Sequence, residues 1–372
     1  MRTIEKSQRN RCSTRFRIFV STLAVALAAS MLGLIGCAGD EGPQSSDASS
    51  EGSAYADLQP VTLILADCAS PESAGNLWSQ EFADRASEIT GGKLTVDYHG
   101  NSELGGDVDL IRQEQSNDIQ MVVSQPAPIV SFIPELAAFD LPMVFATSES
   151  DQIEEVLNGD NEFTAALQEA YGKGKLYNLG FLQDATYRLT TSNKPLNGLG
   201  DFPGFQIRTM ENNNHMAFWQ ALGAEPTPLA FSEVYFALQN GTVDGQENPT
   251  DTAVGASLQE VQGYLCRTNH ILSSYNMSIN KEAWDSLDPA YQAAIEQAFE
   301  EATGEIRSQL SDLDAASTQT MLDSGMELIE YGDEFFEEVL ALDAVQDLYD
   351  SISEQTNGVS DMLISELGKA QG

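Results

Sequence analysis

The sequence predicts an α/β fold in two lobes, and three features indicate it. Between residues 61 and 123, strand-like apolar segments alternate with segments of helical spacing, which is typical of a largely parallel sheet. Residues 267–279 read as one unusually long strand, and such a strand can belong to two sheets and connect the lobes as a hinge. A helical pattern that begins at Pro289 continues to about Met321, roughly 45 Å of helix, which is long enough to brace both lobes.

The first lobe is predicted from the elements that follow residue 60. Its strands are expected at 61–66, 93–98, 119–123 and 176–182, and its helices at 107–115, 148–158 and 161–172, with a further helix that begins at Ser70-Pro71 and is stopped by Gly91-Gly92. In parallel sheets, ligands gather at the carboxyl ends of the strands. The ends of the first and third strands lie near Asp67 and near Ser124-Gln125, so we expect a binding cleft there.

The second lobe is predicted from strands at 185–191 and 204–209 and a helix at 213–222. The stretch 231–251 follows, with four apolar residues at helical spacing and then several helix breakers. This pattern predicts a short helix that ends in a polar turn, with Glu247 and Asn248 on the turn beside Pro249. Taken alone, it is also the pattern of an ordinary helix end followed by a loop.

The N-terminus has the layout of an export signal. Six basic residues lie within residues 2–17, and residues 18–35 are almost wholly apolar or small. The run Leu34-Ile35-Gly36-Cys37 resembles the bacterial lipobox, so residues 1–36 are predicted to be a lipoprotein signal peptide and Cys37 the lipidated residue. The alternative is an uncleaved membrane anchor. Residues 37–58, rich in Gly, Ser, Ala and acid, are predicted to be a flexible tether.

The chain is strongly acidic. Its formal net charge is −39, with 57 acidic and 18 basic residues. Residues 1–36 hold six of the basic residues and one acidic residue, so the chain from Cys37 onward has 12 basic and 56 acidic residues, a net charge of −44. Such a surface makes nucleic acid and anionic lipid headgroups poor partners.

Two cysteines, Cys68 and Cys266, remain after Cys12 leaves with the signal and Cys37 takes lipid. They are far apart in the sequence, and nothing in it specifies the geometry of a disulfide. In an exported protein the pair could still form a bridge. Two small buried thiols are the expected state.

Few features of the sequence indicate that the protein is an enzyme. His99, His215 and His270 have neither metal-ligand spacing nor a catalytic partner pattern, and no nucleophile elbow, phosphate-binding loop or Cys-His signature is present. We therefore expect no catalytic residue, no metal and no cofactor. Arg188 and Arg208, at or near predicted strand ends beside a cleft, instead suggest recognition of a carboxylate by a planar guanidinium. The alternative is that each arginine pairs with one of the many acids.

Several motifs in the second half of the chain resemble the substrate-binding proteins of TRAP transporters, of the dicarboxylate- and sialic-acid-binding type. They occur in the family's order and spacing: G-F-Q-I-R at 204–208, L-G-A-E-P-T-P at 222–228, E-V-Y-F-A-L-Q at 233–239, G-T-V-D-G at 241–245, E-N-P at 247–249 and T-N-H at 268–270. The similarity runs from about Val61 to near the C-terminus. It implies a two-lobe periplasmic-binding-protein-like fold with an interlobe cleft, crossing hinge strands and a long bracing helix.

The resemblance also implies roles for individual residues. Arg208 matches the arginine that pairs with the ligand carboxylate, Arg188 matches a second ligand-facing arginine, and Asn248 matches the asparagine that hydrogen-bonds the carboxylate. Phe231 and Glu247 match positions that line or support the cleft, and Asp67 lies at a strand end that contributes varied contacts. Gln206 stands where a lysine is frequent, which leaves the carboxylate clamp intact and the identity of the substrate open.

The expected organisation is two lobes built from discontinuous segments. Lobe I comprises residues 59–185 and 274–313, and lobe II comprises residues 186–273 and 314–372. The expected function is that of an exported, lipid-anchored, monomeric receptor that binds a small organic acid and delivers it to a TRAP permease driven by an ion gradient. Dicarboxylates, sugar acids such as sialate or uronates, and keto acids all fit the clamp. The alternatives are a receptor of the same fold that feeds a sensor kinase, or a secreted enzyme of another class.

Overall fold

The computed structural model describes residues 55–371, which belong to one compact unit. The strands are β1 (Val61–Asp67), β2 (Leu94–His99), β3 (Met121–Ser124), β4 (Leu176–Leu182), β5 (Leu189–Ser192), β6 (Gln206–Thr209), β7 (Glu225–Pro228), β8 (Gly245–Asn248), β9 (Tyr264–Cys266), β10 (Tyr275–Asn280) and β11 (Glu327–Ile329). The helices are α1 (Ala74–Ile89), α2 (Asp107–Gln115), α3 (Pro126–Ile129), α4 (Ser150–Asn158), α5 (Glu162–Lys173), α6 (Asn213–Ala221), α7 (Val234–Gln239), α8 (Thr250–Gly255), α9 (Lys281–Ser286), α10 (Pro289–Asp323), α11 (Asp333–Leu340), α12 (Asp343–Gln355) and α13 (Val359–Ala370). The predicted signal peptide, Cys37 and the tether as far as residue 54 lie outside the described residues.

The strands form two sheets, as expected for a two-lobe α/β fold. The first has the order β2-β1-β3-β10-β4, with β1 parallel to β2 and β3, and β10 antiparallel to β3 and β4. The predicted parallel unit is therefore correct, and a late strand inserts beside it. Trp78 and Phe82 of α1 pack in the core of this sheet with Met277 of β10.

Helix α1 begins later than the sequence pattern indicates. The prediction placed its start at Ser70-Pro71, whereas the first helical residue is Ala74. Glu72 has a φ of 63°, in the left-handed region that a right-handed helix cannot include. The backbone N–H of Ala74 instead donates to Asp251 Oδ2 at 2.7 Å, so a distant carboxylate caps the helix.

The second sheet has the order β11-β9-β5-β8-β6-β7. Strand β8 lies inside it, antiparallel to β5 and parallel to β6, and all four of its residues are buried. The prediction that Glu247 and Asn248 lie on a turn is therefore wrong, because they are the last two residues of β8. The segment Gly-Gln-Glu-Asn has no apolar pattern, and its burial depends on partners that are distant in the sequence.

The prediction of one continuous strand over residues 267–279 is also wrong. Strand β9 ends at Cys266 in the second sheet, and β10 begins at Tyr275 in the first. Asn269 has a φ of 41°, which interrupts the extended backbone between them. The segment between β9 and β10 pairs with the segment between β4 and β5, which also passes from one sheet to the other. Arg188 N–H donates to the carbonyl of Ile271 at 2.9 Å, and Ser273 N–H donates to the carbonyl of Thr186 at 2.8 Å. Two antiparallel crossings thus join the sheets.

Helix α10 has 35 residues, about 52 Å of helix. Its Phe299 packs in the core of the first sheet with Trp78, and its Met321 packs in the core of the second sheet with Leu189 and Leu265. The predicted bracing helix is therefore confirmed. Tyr55, at the start of the described residues, stacks on Tyr291 of the same helix with ring centroids 6.0 Å apart.

The C-terminal helices α12 and α13 cover elements from the middle of the chain. Helix α13 packs against α4 and α5, and α12 packs against α6. Both helices also contact the 3-10 segment Pro134–Asp140, which precedes α4.

The proposed boundaries between the lobes stay a prediction. No helix within residues 55–371 combines the length and the apolar composition needed to cross a bilayer.

Candidate ligand-binding site

A cleft lies at the strand ends of the two sheets and encloses about 400 Å³ of space between protein atoms, solvent at its mouth included. Residues at or just after the ends of β1 and β3 form one wall, and residues of β6 and β8 form the other, which agrees with the position predicted for a ligand. The lining residues are Cys68, Ala69, Asp107, Val123, Ser124, Gln125, Arg208, Met210, Phe231, Asn248, Thr252 and Tyr275.

Arg208, on β6, presents a partly unsatisfied guanidinium to the cleft. The side chain is buried, and its Nε and Nη2 donate to the carbonyl oxygen of Leu229 at 3.0 and 2.7 Å. Its Nη1 has no hydrogen-bond partner among the described residues. Burial lowers the pKa of Arg208 to about 10, although the Glu247 charge opposes that shift, so the group stays cationic at neutral pH. A buried donor without an acceptor is costly, and a ligand carboxylate would satisfy it.

Arg188 lies just before β5, behind the lining of the cleft. Its Nε donates to Glu247 Oε2 at 2.5 Å, and its Nη2 donates to Oε1 at 2.9 Å and to Asn248 Oδ1 at 3.1 Å. Its Nη1 donates to Gln125 Oε1. All three nitrogens of Arg188 therefore have protein partners, and two of those partners, Gln125 and Asn248, line the cleft.

Glu247 is the centre of a buried polar cluster. Besides Arg188, its Oε2 lies 3.1 Å from Nε2 of His270. Burial would raise the pKa of Glu247, but Arg188, His215 and His270 hold it well below its ordinary value. Burial would likewise lower the pKa of His215, yet Asp140, 3.1 Å from its Nε2, and Glu247 raise it to about 9. The cluster therefore carries opposite charges that compensate one another inside the protein.

The remaining predicted residues divide between the cleft and its support. Asn248 lines the cleft, and its Nδ2 donates to Gln246 Oε1 at 2.5 Å. Phe231 also lines it, with its ring centroid 6.0 Å from the Arg208 guanidinium carbon. Asp67 does not line it: its carboxylate accepts hydrogen bonds from Ser79 Oγ at 2.7 Å and Tyr98 Oη at 2.9 Å. Burial raises the pKa of Asp67 to about 6.

Of the predicted set, Arg208, Asn248 and Phe231 thus line the cleft, whereas Arg188, Glu247 and Asp67 stand behind it. The predicted roles of all six in ligand binding stay predictions. Sequence reasoning missed six lining residues: Ala69, Asp107, Val123, Met210, Thr252 and Tyr275. Nothing distinguishes Asp107 in the sequence from the other acidic residues, except that it is the first residue of a predicted helix.

Asp107 is a half-buried carboxylate at the start of α2. Its Oδ1 accepts a hydrogen bond from Ser124 Oγ at 3.0 Å. Burial raises the pKa of Asp107, and Ser124 and Arg208 oppose that shift.

Cys68 lies beside Asp107 in the cleft and donates from Sγ to the carbonyl of Gly105 at 3.3 Å. Cys68 and Cys266 are both buried free thiols, as expected.

Comparison with known proteins identifies the relatives of this chain. Residues 66–356 match the family model described as bacterial extracellular solute-binding protein, family 7. A solute-binding protein of Roseobacter denitrificans is 30% identical over 314 residues, which cover 84% of this chain and 94% of that protein. The C4-dicarboxylate-binding periplasmic protein DctP of Rhodobacter capsulatus is 29% identical over 269 residues, or 72% of this chain and 79% of that protein.

A solved structure is similar over a comparable length. The sugar acid binding protein DctPAm of Advenella mimigardefordensis, in complex with galactonate, superposes with a TM-score of 0.78 at 26% sequence identity. The superposition covers 84% of this chain and 100% of that protein.

Proposed function

Because the chain belongs to the bacterial extracellular solute-binding proteins of family 7, which serve TRAP transporters, we propose that it binds a small organic acid in the cleft and delivers it to a membrane permease driven by an ion gradient. The relatives above are solute-binding proteins, so neither the sensor-kinase receptor nor the secreted enzyme is proposed. DctP of Rhodobacter capsulatus is named for C4-dicarboxylates, and DctPAm holds galactonate, so both take carboxylates.

The proposal depends most on the hydrogen bonding of the Arg208 guanidinium, and in particular on its Nη1 atom. Two nitrogens of this guanidinium are held by the carbonyl of Leu229, and the third has no partner among the described residues although the side chain is only 2% exposed. A carboxylate oxygen in the cleft would complete it with a charge-assisted hydrogen bond. Asn248, held in place by Arg188 and Gln246, would supply a further donor from its Nδ2.

Binding would shift the protein toward a closed arrangement of the lobes. A ligand drives such a shift only through contacts that are better made in the closed state. Arg208 and Asn248 belong to the second sheet and Gln125 follows β3 of the first, so an acid that spans the cleft contacts both sides. The closed cleft excludes water and strengthens each of these contacts.

The proposed location is outside the cytoplasm, in keeping with the family. We propose that the signal peptide is removed at residue 36, that Cys37 carries lipid, and that residues 37–58 tether a monomeric receptor to the membrane surface. Mass spectrometry of the protein purified from membranes tests the anchor, because the N-terminal peptide would carry a diacylglycerol on Cys37. An unmodified N-terminal peptide that begins at Met1 would refute it.

The binding function is tested by a thermal-shift screen of the chain from Ala38 onward. The ligands are dicarboxylates, sugar acids, keto acids, neutral sugars and amino acids, each at millimolar concentration. A ligand at about a thousand times its Kd adds about 4 kcal/mol of stability, which the screen detects. A shift with carboxylates supports the proposal. A shift with neutral sugars alone, or with none of the acids, would overturn it.

A further inference from the structure

We infer that Asp107 makes the cleft selective for polyhydroxylated monocarboxylates over dicarboxylates, an inference that rests on the proposed function. The selectivity depends on the cleft wall opposite Arg208, and this wall is formed by the first sheet and its helices. The side chains of that wall determine which chemical group is tolerated at the end of the ligand remote from its carboxylate.

The two charged groups of the lining lie on different walls. Arg208 belongs to β6, whereas Asp107 opens α2, which packs against β1 and β3. The guanidinium of Arg208 donates to the Leu229 carbonyl and keeps Nη1 unpaired among residues 55–371. The side chain that holds Asp107 is the neutral hydroxyl of Ser124. The cleft therefore offers a cationic donor on one wall and an anionic acceptor on the other.

A short acid that places its carboxylate on Arg208 directs its other end toward the first wall. A second carboxylate there would meet the carboxylate of Asp107 in a site that largely excludes water, and such like-charge contacts are strongly unfavourable. A hydroxyl group would instead donate to Asp107, since Ser124 occupies one of its oxygens and leaves acceptor capacity on the other. A hydrogen bond to an ionised acceptor is stronger than one between neutral groups.

The other polar residues of the lining also match hydroxyl groups. The Tyr275 hydroxyl lies 3.0 Å from Thr252 Oγ1, and Ser124 lies beside Asp107. These hydroxyls can each donate and accept, as the hydroxyls of a sugar acid can. An ammonium group donates only, and would need several acceptors together. The lining therefore favours a polyhydroxy acid over an amino acid.

The experiment compares ligands that differ only at the far end. Galactonate and galactarate share their carbon chain and stereochemistry, but carry CH2OH and carboxylate at C6, and gluconate and glucarate form a second pair. Succinate serves as a dicarboxylate without hydroxyls. Isothermal titration with the chain from Ala38 onward measures each Kd. We expect at least one aldonate to bind at least about 30-fold more tightly than its paired aldarate and than succinate.

The variants are Asp107→Asn and a matched control, Asp109→Asn. Asp109 lies two residues further along α2, its side chain is 68% exposed, and it pairs with Arg112 at 3.2 Å. Both variants remove one negative charge from the same helix. Asp107→Asn is expected to reduce the aldonate-to-aldarate preference at least about tenfold. Asp109→Asn is expected to preserve it.

Each outcome decides the inference. If an aldarate or succinate binds the unmodified protein as tightly as the aldonates, Asp107 does not select and the inference is wrong, while the proposed function stands. The same conclusion follows if only other acids bind, if Asp107→Asn leaves the preference unchanged, or if Asp109→Asn alters it equally. If no carboxylate binds, both the inference and the proposed function fail. If Asp107→Asn does not fold, the unmodified protein still tests the inference, because an aldarate or succinate that binds as tightly as the aldonates refutes it.

Discussion

Arg188 and Glu247 form an ion pair that is shielded from solvent behind the cleft: Nε lies 2.5 Å from Oε2, and the two side chains are 1% and 0% exposed. The pair connects the segment before β5 to the third residue of β8. Arg188 also donates to Gln125 and Asn248, and therefore holds two lining side chains in place. Of these two arginines, Arg188 has a protein partner for each nitrogen, whereas Nη1 of Arg208 has no partner within residues 55–371.

Removing one partner of this pair should destabilise the protein strongly. Glu247→Leu leaves the Arg188 charge buried without its counter-ion, and we expect a loss of about 3–5 kcal/mol in the free energy of unfolding. Guanidinium chloride denaturation measures it. The matched variant, Arg188→Met with Glu247→Leu, removes both charges and should recover a large part of the loss. A single variant within about 1 kcal/mol of the parent would contradict the buried ion pair.

Arg208→Ala should weaken the binding of an acid ligand by about 2–5 kcal/mol, which is about 30-fold or more in Kd. The reason is that a desolvated carboxylate loses its cationic partner. Isothermal titration with the best ligand of the screen measures the change. Arg112→Ala provides the control, because the Arg112 side chain is 64% exposed on α2 and does not line the cleft. Unchanged affinity in Arg208→Ala would refute the assignment.

Glu114 should make stability fall as the pH rises. This carboxyl of α2 is buried, its Oε1 accepts from Ser278 Oγ at 2.9 Å, and burial raises its pKa to about 8 from the ordinary 4.5. Because the folded state holds the proton more tightly, the stabilisation is fully present below about pH 4.5 and is lost as the pH rises through about 8.

Glu114→Gln tests this dependence, because the amide keeps an acceptor for Ser278 and does not titrate. Between pH 5 and pH 9, the free energy of unfolding of the variant should rise relative to the parent by roughly 2–4 kcal/mol. Urea denaturation at the two pH values gives the difference. A constant difference between variant and parent would show that Glu114 does not titrate in this range.

The acidic surface predicts that salt stabilises the protein. The chain from Cys37 onward carries −44, and self-repulsion of such a net charge opposes the compact state. The screening length falls from about 30 Å at 0.01 M salt to about 3 Å at 1 M. We expect the melting temperature to rise by at least about 3 °C over that range of NaCl, measured by differential scanning calorimetry without ligand. A melting temperature that falls with salt would contradict repulsion as the dominant electrostatic effect.

Much of the fold follows from local patterns. The bounds of α2 and β4 agree with their apolar spacing, and the brace α10 follows from a long pattern without a breaker after Pro289. The errors occur where distant contacts override such patterns. Helix α1 starts late because Glu72 takes a left-handed conformation and Asp251 caps Ala74.

The binding site also combines features that the sequence indicates with features that depend on contacts between distant residues. The family resemblance carried by the motifs, with 40 residues between Arg208 and Asn248, implies that both lie at one cleft, and both line it in the structure. The sequence does not indicate which of Arg188 and Arg208 keeps a donor unpaired among the described residues, because that depends on Glu247, which is 59 residues beyond Arg188 and on a neighbouring strand. It is equally silent on Asp107, one acid among many until α2 brings it opposite Arg208. Periodicity records which face of an element is apolar, whereas charge pairing and desolvation depend on distances through space, which are set only when the two sheets pack together.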